Sequence, residues 1–322
     1  MKRALCLLLV IFMLAFLLVG CRKTPDGEKN LVVCTSFAAY DWVRELIGES
    51  TSLQVSLLVA DGSDLHSYQP TVADKVKLAE SALVVRVGGV SDAWVADMAA
   101  DARVVCLSDI AGVTLRTAEA LHDGHGHDHT HEHVHEEGDG HDHAAFDEHL
   151  WLSPKNARVC VDYLAEVLAQ LDAEYRDHYL ARAAAYGDKL AALDAVYAEA
   201  CAAAPRQELL VADRFPFVYL VEEYGLTYCA AFAGCSTESH ASFDTVVRLA
   251  QQADEWALSH ILVTESTDGA LAESVIRATK KKDIEILAMD SMQAVSAARV
   301  ARGADYLSLM YENLEILKRA LS

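Results

Sequence analysis

The sequence predicts an α/β protein with two similar lobes, each built on a mostly parallel sheet, joined by one long rigid helix. Short apolar runs alternate with stretches of helical spacing, a rhythm typical of βαβ units. The rhythm occupies residues 31–107 and returns after residue 205. Between them, residues 155–204 contain no proline and a single glycine, Gly187, which favours uninterrupted helix. A length of 322 residues suits two lobes, at roughly 150 residues per domain.

Helix-capping residues and the apolar pattern predict the individual elements. Ser153 and Pro154 predict a helix start, since a hydroxyl caps the first turn and proline suits the first helical position. A break near 172–176 leaves a linking helix of about 40 Å at 1.5 Å per residue. Predicted strands lie at 31–34, 53–59, 82–85, 103–107, 208–212, 227–231, 260–263 and 284–288. Predicted helices in the lobes lie at 40–47, 72–78, 215–224, 243–256, 269–279 and 300–321.

These elements divide the chain into a first lobe at 31–173, a linking helix at 174–205 and a second lobe at 206–322. The segments 31–37 and 209–215 each consist of an apolar strand, two polar residues, a Phe and the start of a helix. This likeness is a weak indication that the lobes are distant copies of one another. We expect the protein to be a monomer.

Residues 1–20 are typical of an export signal. Lys2 and Arg3 precede an uncharged apolar run of about 15 residues, shorter than the roughly 20 needed to span a membrane. The segment LVGC, which ends at Cys21, resembles the bacterial lipobox, in which this cysteine becomes the lipidated first residue of the mature protein. Residues 21–30 are polar and predict a flexible tether. We therefore expect a protein that is lipid-anchored on the outer face of the cytoplasmic membrane, or periplasmic.

The charge of the chain excludes one large class of partners. The 27 Lys and Arg residues are outnumbered by 48 Asp and Glu residues, for a formal net charge of −21. Nucleic acid is therefore not an expected partner, because binding its phosphates needs a basic face. No CxxC spacing occurs among the cysteines that follow the signal. Cys229 and Cys235 are the pair to test for a disulfide.

Residues 122–143 form a low-complexity loop with nine His and seven Asp or Glu. Such a composition cannot form a packed core, and we expect disorder without metal. Imidazole nitrogens suit zinc, copper and nickel better than magnesium or calcium. The loop therefore predicts weak, multi-site capture of a transition metal. Its candidate ligands are His122, His125, His127, His129, His131, His133, His135, His141 and His143.

A second, defined site is predicted between the lobes. His66 follows the strand at 53–59, and His149 precedes the helix that starts at Pro154. Asp213 and Asp290 each follow a strand of the second lobe. Since ligands of α/β sheets gather beyond the carboxyl ends of the strands, these four residues are candidates for one metal site in the cleft.

At these residues the chain resembles a known family, the metal-binding lipoproteins of bacterial ABC importers for zinc and manganese. The resemblance covers nearly all of the mature chain. Its strongest parts are DLHSYQPT at 64–71, the His-rich loop, and HLWLSPKNA at 149–157. The segments YGL at 224–226 and YLSLMYENLEIL at 306–317 support it. The resemblance implies two lobes on a long helix, with one metal in the cleft.

The family pattern implies His66 and His149 as ligands, and it implies Asp290 as the aspartate of manganese-type members; Asp290 could instead cap the next turn. The family's third ligand, a His or Glu, falls at Arg214, which cannot bind metal because guanidinium stays protonated. Asp213 is the first candidate replacement and His240 the second. Glu238 or a water molecule are further alternatives.

By this resemblance the protein captures a divalent metal and delivers it to an ABC permease and its ATPase. We favour Zn²⁺, with Mn²⁺ possible, because zinc outcompetes manganese at such ligands and the His-rich loop is typical of zinc-type members. We do not expect an enzyme. A surface metal buffer or adhesin is one alternative, and a metal-dependent hydrolase with Glu148 as its base is another.

Overall fold

Two four-stranded parallel sheets form the centres of the two lobes. The computed structural model describes residues 30–49, 52–59, 62–99, 102–117, 146–234 and 241–322. The strand order is β2-β1-β3-β4 in the first lobe and β6-β5-β7-β8 in the second, so the two sheets have the same topology. The strands are β1 Leu31–Cys34, β2 Gln54–Leu57, β3 Leu83–Arg86, β4 Arg103–Cys106, β5 Glu208–Phe215, β6 Thr227–Ala233, β7 His260–Thr264 and β8 Glu285–Met289.

Helices cover these sheets and connect the lobes. The helices of the first lobe are α1 Phe37–Ile47, α2 Val72–Glu80 and α3 Val95–Met98. The helices between the sheets are α4 Pro154–Leu171 and α5 Arg176–Ala203. The helices of the second lobe are α6 Val218–Glu223, α7 Phe243–Glu255, α8 Ala270–Ala278, α9 Ala297–Ala301 and α10 Tyr306–Ala320. The predicted class, two parallel-sheet lobes with a long helix, is confirmed.

Local sequence explains where the first of the two long helices begins. Ser153 caps α4, because its hydroxyl accepts a hydrogen bond from the amide of Asn156, and Pro154 occupies the first helical position. A single 3₁₀ turn at Ala173–Tyr175 separates α4 from α5. The 28 residues of α5 then run without a break and pack against α4.

Two predicted helices differ from the structure. The helix expected at 300–321 is divided, because Gly303 has a φ of 96° and Asp305 caps a new helix, α10. The helix expected from residue 215 begins later, since β5 continues through a bulge as far as Phe215. The resemblance between 31–37 and 209–215 is therefore looser than it looked, although the two sheets share their strand order.

One hydrophobic core extends through both lobes and the two long helices. At the contact between the lobes, the ring of Tyr306 lies edge-on to Trp42, with ring centres 5.3 Å apart. The Tyr306 amide donates to the buried carboxylate of Asp41 at 2.8 Å, and its hydroxyl donates to the Trp151 carbonyl at 2.7 Å. Buried hydrogen bonds of this kind contribute about 1 kcal/mol each and cost more when one partner is lost.

Within the described residues, we find no helix with the length and apolar character that a membrane span requires.

We expect Asp41→Asn to change how stability depends on pH. Burial raises the pKa of Asp41 to about 6, although the Tyr306 amide and Arg44 oppose the shift. The folded protein therefore keeps a proton that the unfolded chain releases near its ordinary pKa, and this stabilisation is lost as pH rises from about 4 to about 6. Relative to wild type, the Asn variant should gain about 2–3 kcal/mol between pH 4 and pH 7, measured by urea unfolding.

The control is Asp188→Asn, which changes an exposed carboxylate on α5. Its stability relative to wild type should be nearly constant over the same pH range. Equal pH dependence of the two variants would contradict the assignment to Asp41.

Candidate metal centre

His66 lies on a 3₁₀ turn, Leu65–Ser67, that follows β2. Asp64 caps this turn, because its carboxylate accepts the His66 amide at 2.9 Å. The Nδ1 atom of the ring lies 2.5 Å from the Ser91 hydroxyl and 3.8 Å from the Glu148 carboxylate. A carboxylate and a hydroxyl behind Nδ1 favour a proton on that nitrogen, which leaves the lone pair of Nε2 directed into the cleft.

His149 is fully buried and precedes the 3₁₀ turn Leu150–Leu152 that leads into α4. One oxygen of Asp147 accepts both the His149 amide, at 2.9 Å, and the ring Nδ1, at 2.7 Å. Because an ionised carboxylate can only accept, Nδ1 carries the proton. The lone pair of His149 is therefore on Nε2, as it is for His66.

The two Nε2 atoms are 3.2 Å apart, and the ring centres are 5.2 Å apart. Zinc binds histidine at about 2.0–2.1 Å, so a tetrahedral ion holds two such nitrogens about 3.3 Å apart. The observed separation therefore matches that of two imidazoles that share one metal ion.

Burial is the main reason why the His66 ring favours its neutral form. Burial lowers the pKa of His66, and the neighbouring His149 and Arg214 act in the same direction. Asp64 and Glu148 oppose the shift but do not reverse it. Only neutral imidazole binds metal. The ring is therefore available as a ligand at neutral pH, and also at pH values somewhat below the ordinary pKa of histidine.

A glycine turn after β3 holds the residues that support His66. The amides of Val90 and Ser91 donate to one oxygen of Glu148 at 2.6 and 3.1 Å. Gly89 has a φ of 83°, and a Cβ added there would lie 2.7 Å from the Glu148 carboxyl carbon. Only glycine fits this position, for backbone and steric reasons together. At the start of the turn, the amides of residues 87 and 88 donate to the buried carboxylate of Asp92.

Arg214 enters the cleft from the end of β5, and its guanidinium forms an ion pair with Asp64 at 3.2 Å. The adjacent Asp213 faces elsewhere in the second lobe. Its carboxylate accepts the amide and hydroxyl of Thr264, at 3.1 and 2.5 Å, and the Arg214 amide at 2.8 Å. The structure thus brings Arg214, and not Asp213, toward the two imidazoles.

Asp290 directly follows β8, as expected, and its carboxylate is bound by other groups. One oxygen accepts the Met292 amide at 2.8 Å, and the other pairs with Arg299 at 2.6 Å. The backbone of Asp290 also exchanges two hydrogen bonds with the Asn313 amide group, each 2.7 Å long. This arrangement is the turn cap considered as the alternative to a ligand role.

Several candidates lie outside the described residues: Cys21, the His-rich loop at 122–143, Cys235, Glu238 and His240. Their predicted roles stay predictions, as does the disulfide between Cys229 and Cys235. Within the described ranges, no three His, Cys, Asp or Glu side chains are grouped so that they could hold a metal ion.

Sequence reasoning missed three residues that contact the imidazoles: Asp147, Ser91 and Gln293. A signal for Asp147 was present, because both histidines occur as Asp-x-His and both aspartates accept the amide of their histidine. Gln293, in the loop after β8, contacts His149 Nε2 from the second lobe. No motif marks Ser91 or Gln293, since tertiary packing alone brings them to the site.

Two parallel-sheet lobes on a long helix, with paired imidazoles at their interface, define a helix-linked, two-lobed binding protein. Comparison with known families supports this class and identifies the family. The chain belongs to the ZnuA family, described as zinc-uptake complex component A, periplasmic, whose model matches residues 32–320.

Individual relatives support the family assignment. The chain is 27% identical over 319 residues to the zinc-binding lipoprotein AdcA of Streptococcus pneumoniae, a match that covers 97% of the chain but 60% of AdcA. It is 26% identical over 298 residues to the high-affinity zinc uptake system protein ZnuA of Bacillus subtilis, covering 92% of the chain and 88% of that protein. The chain thus spans about 60% of the length of its AdcA relatives.

A solved structure shows the shared fold. The periplasmic zinc binding protein TroA from Treponema pallidum superposes with a TM-score of 0.73 at 23% identity, over 91% of this chain and 99% of that one.

We expect Gly89→Ala to displace the Glu148 carboxylate and loosen the turn that holds Ser91. The variant should lose about 1–3 kcal/mol more stability than its control in urea unfolding. The pKa of His66, followed by NMR, should rise toward its ordinary value as the ring becomes more exposed.

Gly225→Ala is the matched control, because Gly225 has a similar φ of 69° with no atom within 4 Å of an added Cβ. It should cost only backbone strain, about 1–2 kcal/mol. Equal losses in the two variants would show that the contact with Glu148 is unimportant.

Proposed function

We propose that this chain captures zinc outside the cytoplasm and delivers it to the permease of an ABC importer, whose ATPase supplies the energy. The observation that carries the proposal is the pair of Nε2 atoms of His66 and His149, which lie 3.2 Å apart. Each Nδ1 is hydrogen-bonded on the other side of its ring, that of His66 to Ser91 and that of His149 to Asp147. Family membership and the zinc-binding relatives point to the same cargo.

The donors favour zinc over manganese. Neutral imidazole nitrogens suit zinc, and zinc binds such sites more tightly than manganese by the Irving–Williams order. The carboxylates of Asp147 and Glu148 behind the rings fix their orientation and increase the basicity of their nitrogens. We assign His66 and His149 as ligands of one zinc ion, and we propose that the loop at 122–143 captures zinc weakly at several sites.

The proposed delivery requires the protein to remain beside its permease. We propose that Cys21 carries the lipid that anchors the mature chain, as a monomer, to the outer face of the membrane. A continuous core joins the lobes, so metal release involves local movement of the cleft loops more than a wide hinge motion. Glu148 accepts two backbone amides, and this structural role disfavours it as the base of a hydrolase.

We expect the double variant His66→Ala, His149→Ala to lose the tight zinc site. Affinity at one equivalent of zinc should fall at least about 100-fold, since both nitrogen ligands are gone. The measurement is competition with a zinc chelator, made on the chain without residues 122–143 so that the loop does not contribute.

His178→Ala with His260→Ala is the control pair, because these histidines lie away from the cleft. The control should bind one zinc ion as tightly as the parent. Tight one-to-one binding that survives loss of His66 and His149 would refute the cleft assignment.

We expect Arg214→His to strengthen zinc binding. The substitution removes a positive charge that faces His66 and places an imidazole where the family pattern has its third ligand. Affinity measured by chelator competition should rise at least about tenfold, a change of about 1.4 kcal/mol. Arg214→Gln, which removes the charge without adding an imidazole, separates the two effects. An affinity for the His variant no higher than that of the Gln variant would mean that position 214 does not reach the metal.

A further inference from the structure

Gln293 reaches the two imidazoles from the second lobe through an unusual turn. Asp290 accepts the amide of Met292 at 2.8 Å, and Met292 has a φ of 60°. This left-handed conformation is unfavourable for a residue other than glycine. Met292 keeps it with its side chain buried, at 1% exposure. The turn presents the half-buried Gln293 to His149, and strained turns of this kind often occur at functional sites.

Hydrogen bonding assigns the orientation of the Gln293 amide. With its nitrogen toward Asp64, the amide donates to the two carboxylate oxygens at 3.2 and 3.3 Å. The opposite orientation would place the amide oxygen against that carboxylate, where both groups are acceptors. The nitrogen therefore faces Asp64, and the oxygen faces His149 Nε2.

This orientation brings three atoms of two lobes together. Asp147 binds Nδ1 of His149, so Nε2 is the ring nitrogen that the Gln293 oxygen faces. The Nε2 atom of His66 lies 3.2 Å from it. The amide oxygen and the two Nε2 atoms thus converge on one point of the cleft, and each atom type carries a lone pair that a cation can accept.

We infer that the side-chain oxygen of Gln293 is the third protein ligand of the metal, supplied by the second lobe. This inference rests on the proposed function and names the ligand that Arg214 cannot be. Asp64 orients the amide, and Arg214 holds Asp64 through the 3.2 Å ion pair.

The inferred site has three neutral donors, each with a carboxylate close behind it. Asp147 lies behind His149 and Asp64 behind Gln293, both within hydrogen-bond distance, and Glu148 lies 3.8 Å from His66 Nδ1. Neutral donors alone would leave the charge of a divalent ion uncompensated. The three carboxylates supply the negative charge without ligating the ion, and they orient the donors.

The test compares zinc affinity across variants of the full chain by chelator competition. His66→Ala with His149→Ala gives the contribution of the loop, and affinity above this baseline belongs to the cleft. Gln293→Leu, which keeps the volume and removes the oxygen, should weaken cleft binding by about 10–100-fold. Gln251→Leu, on the exposed side of α7, should bind as wild type does.

A zinc-loaded crystal structure of the unaltered chain, with anomalous scattering, tests the ligand directly even if the Leu variant folds poorly. We expect the Gln293 oxygen at about 2.0–2.2 Å from zinc. Unchanged affinity in Gln293→Leu, or zinc bound by His66 and His149 with the Gln293 oxygen beyond about 3 Å, would overturn this inference and leave the proposed function standing. Wild-type affinity equal to the double-histidine baseline would instead overturn the proposed function, and the ligand assignment with it.

Discussion

The contact between the lobes at Tyr306 holds the segments that carry His149 and Gln293 in the candidate metal centre. Its amide binds Asp41 of the first lobe, its hydroxyl binds the carbonyl of Trp151, and its ring packs on Trp42. Trp151 is two residues from His149, and its indole nitrogen donates to the carbonyl of Ser291 at 3.0 Å. The loop that carries Gln293 is thus tied to the segment that carries His149. Small displacements at this contact would change the geometry of the cleft, since packed cores transmit shifts and absorb few of them.

Two short Asp-x-His turns on this framework orient the rings of His66 and His149. In each Asp-x-His segment, the aspartate accepts the histidine amide and so fixes the backbone from which the ring projects. The aspartates then differ. Asp147 continues to its own histidine ring, whereas Asp64 turns to Arg214 and Gln293. The same local motif therefore orients one imidazole directly and ties the other turn to the opposite lobe.

The sequence predicted the parts of this arrangement that depend on local pattern. Apolar runs located the eight described strands, and the Ser153-Pro154 pair located the start of α4. Local pattern could not show that β5 continues through a bulge to Phe215, because the partner strand decides where pairing ends. Nor could it show that Arg214 faces Asp64, or that Gln293 lies against His149. Those contacts join residues more than 140 positions apart, and only tertiary packing sets them.

Charge explains why an arginine is compatible with the proposed cation site. Arg214 opposes a divalent ion, but its guanidinium is paired with Asp64, and Asp147 and Glu148 face the rings from behind. The cleft thus keeps an excess of negative charge even with Arg214 present. A carrier must bind its cargo and also release it, and ligands that are all anionic would hold zinc tightly at the cost of release. In the inferred site, neutral donors with carboxylates behind them place the negative charge outside the ligand shell, so release of the ion breaks no metal–carboxylate bond.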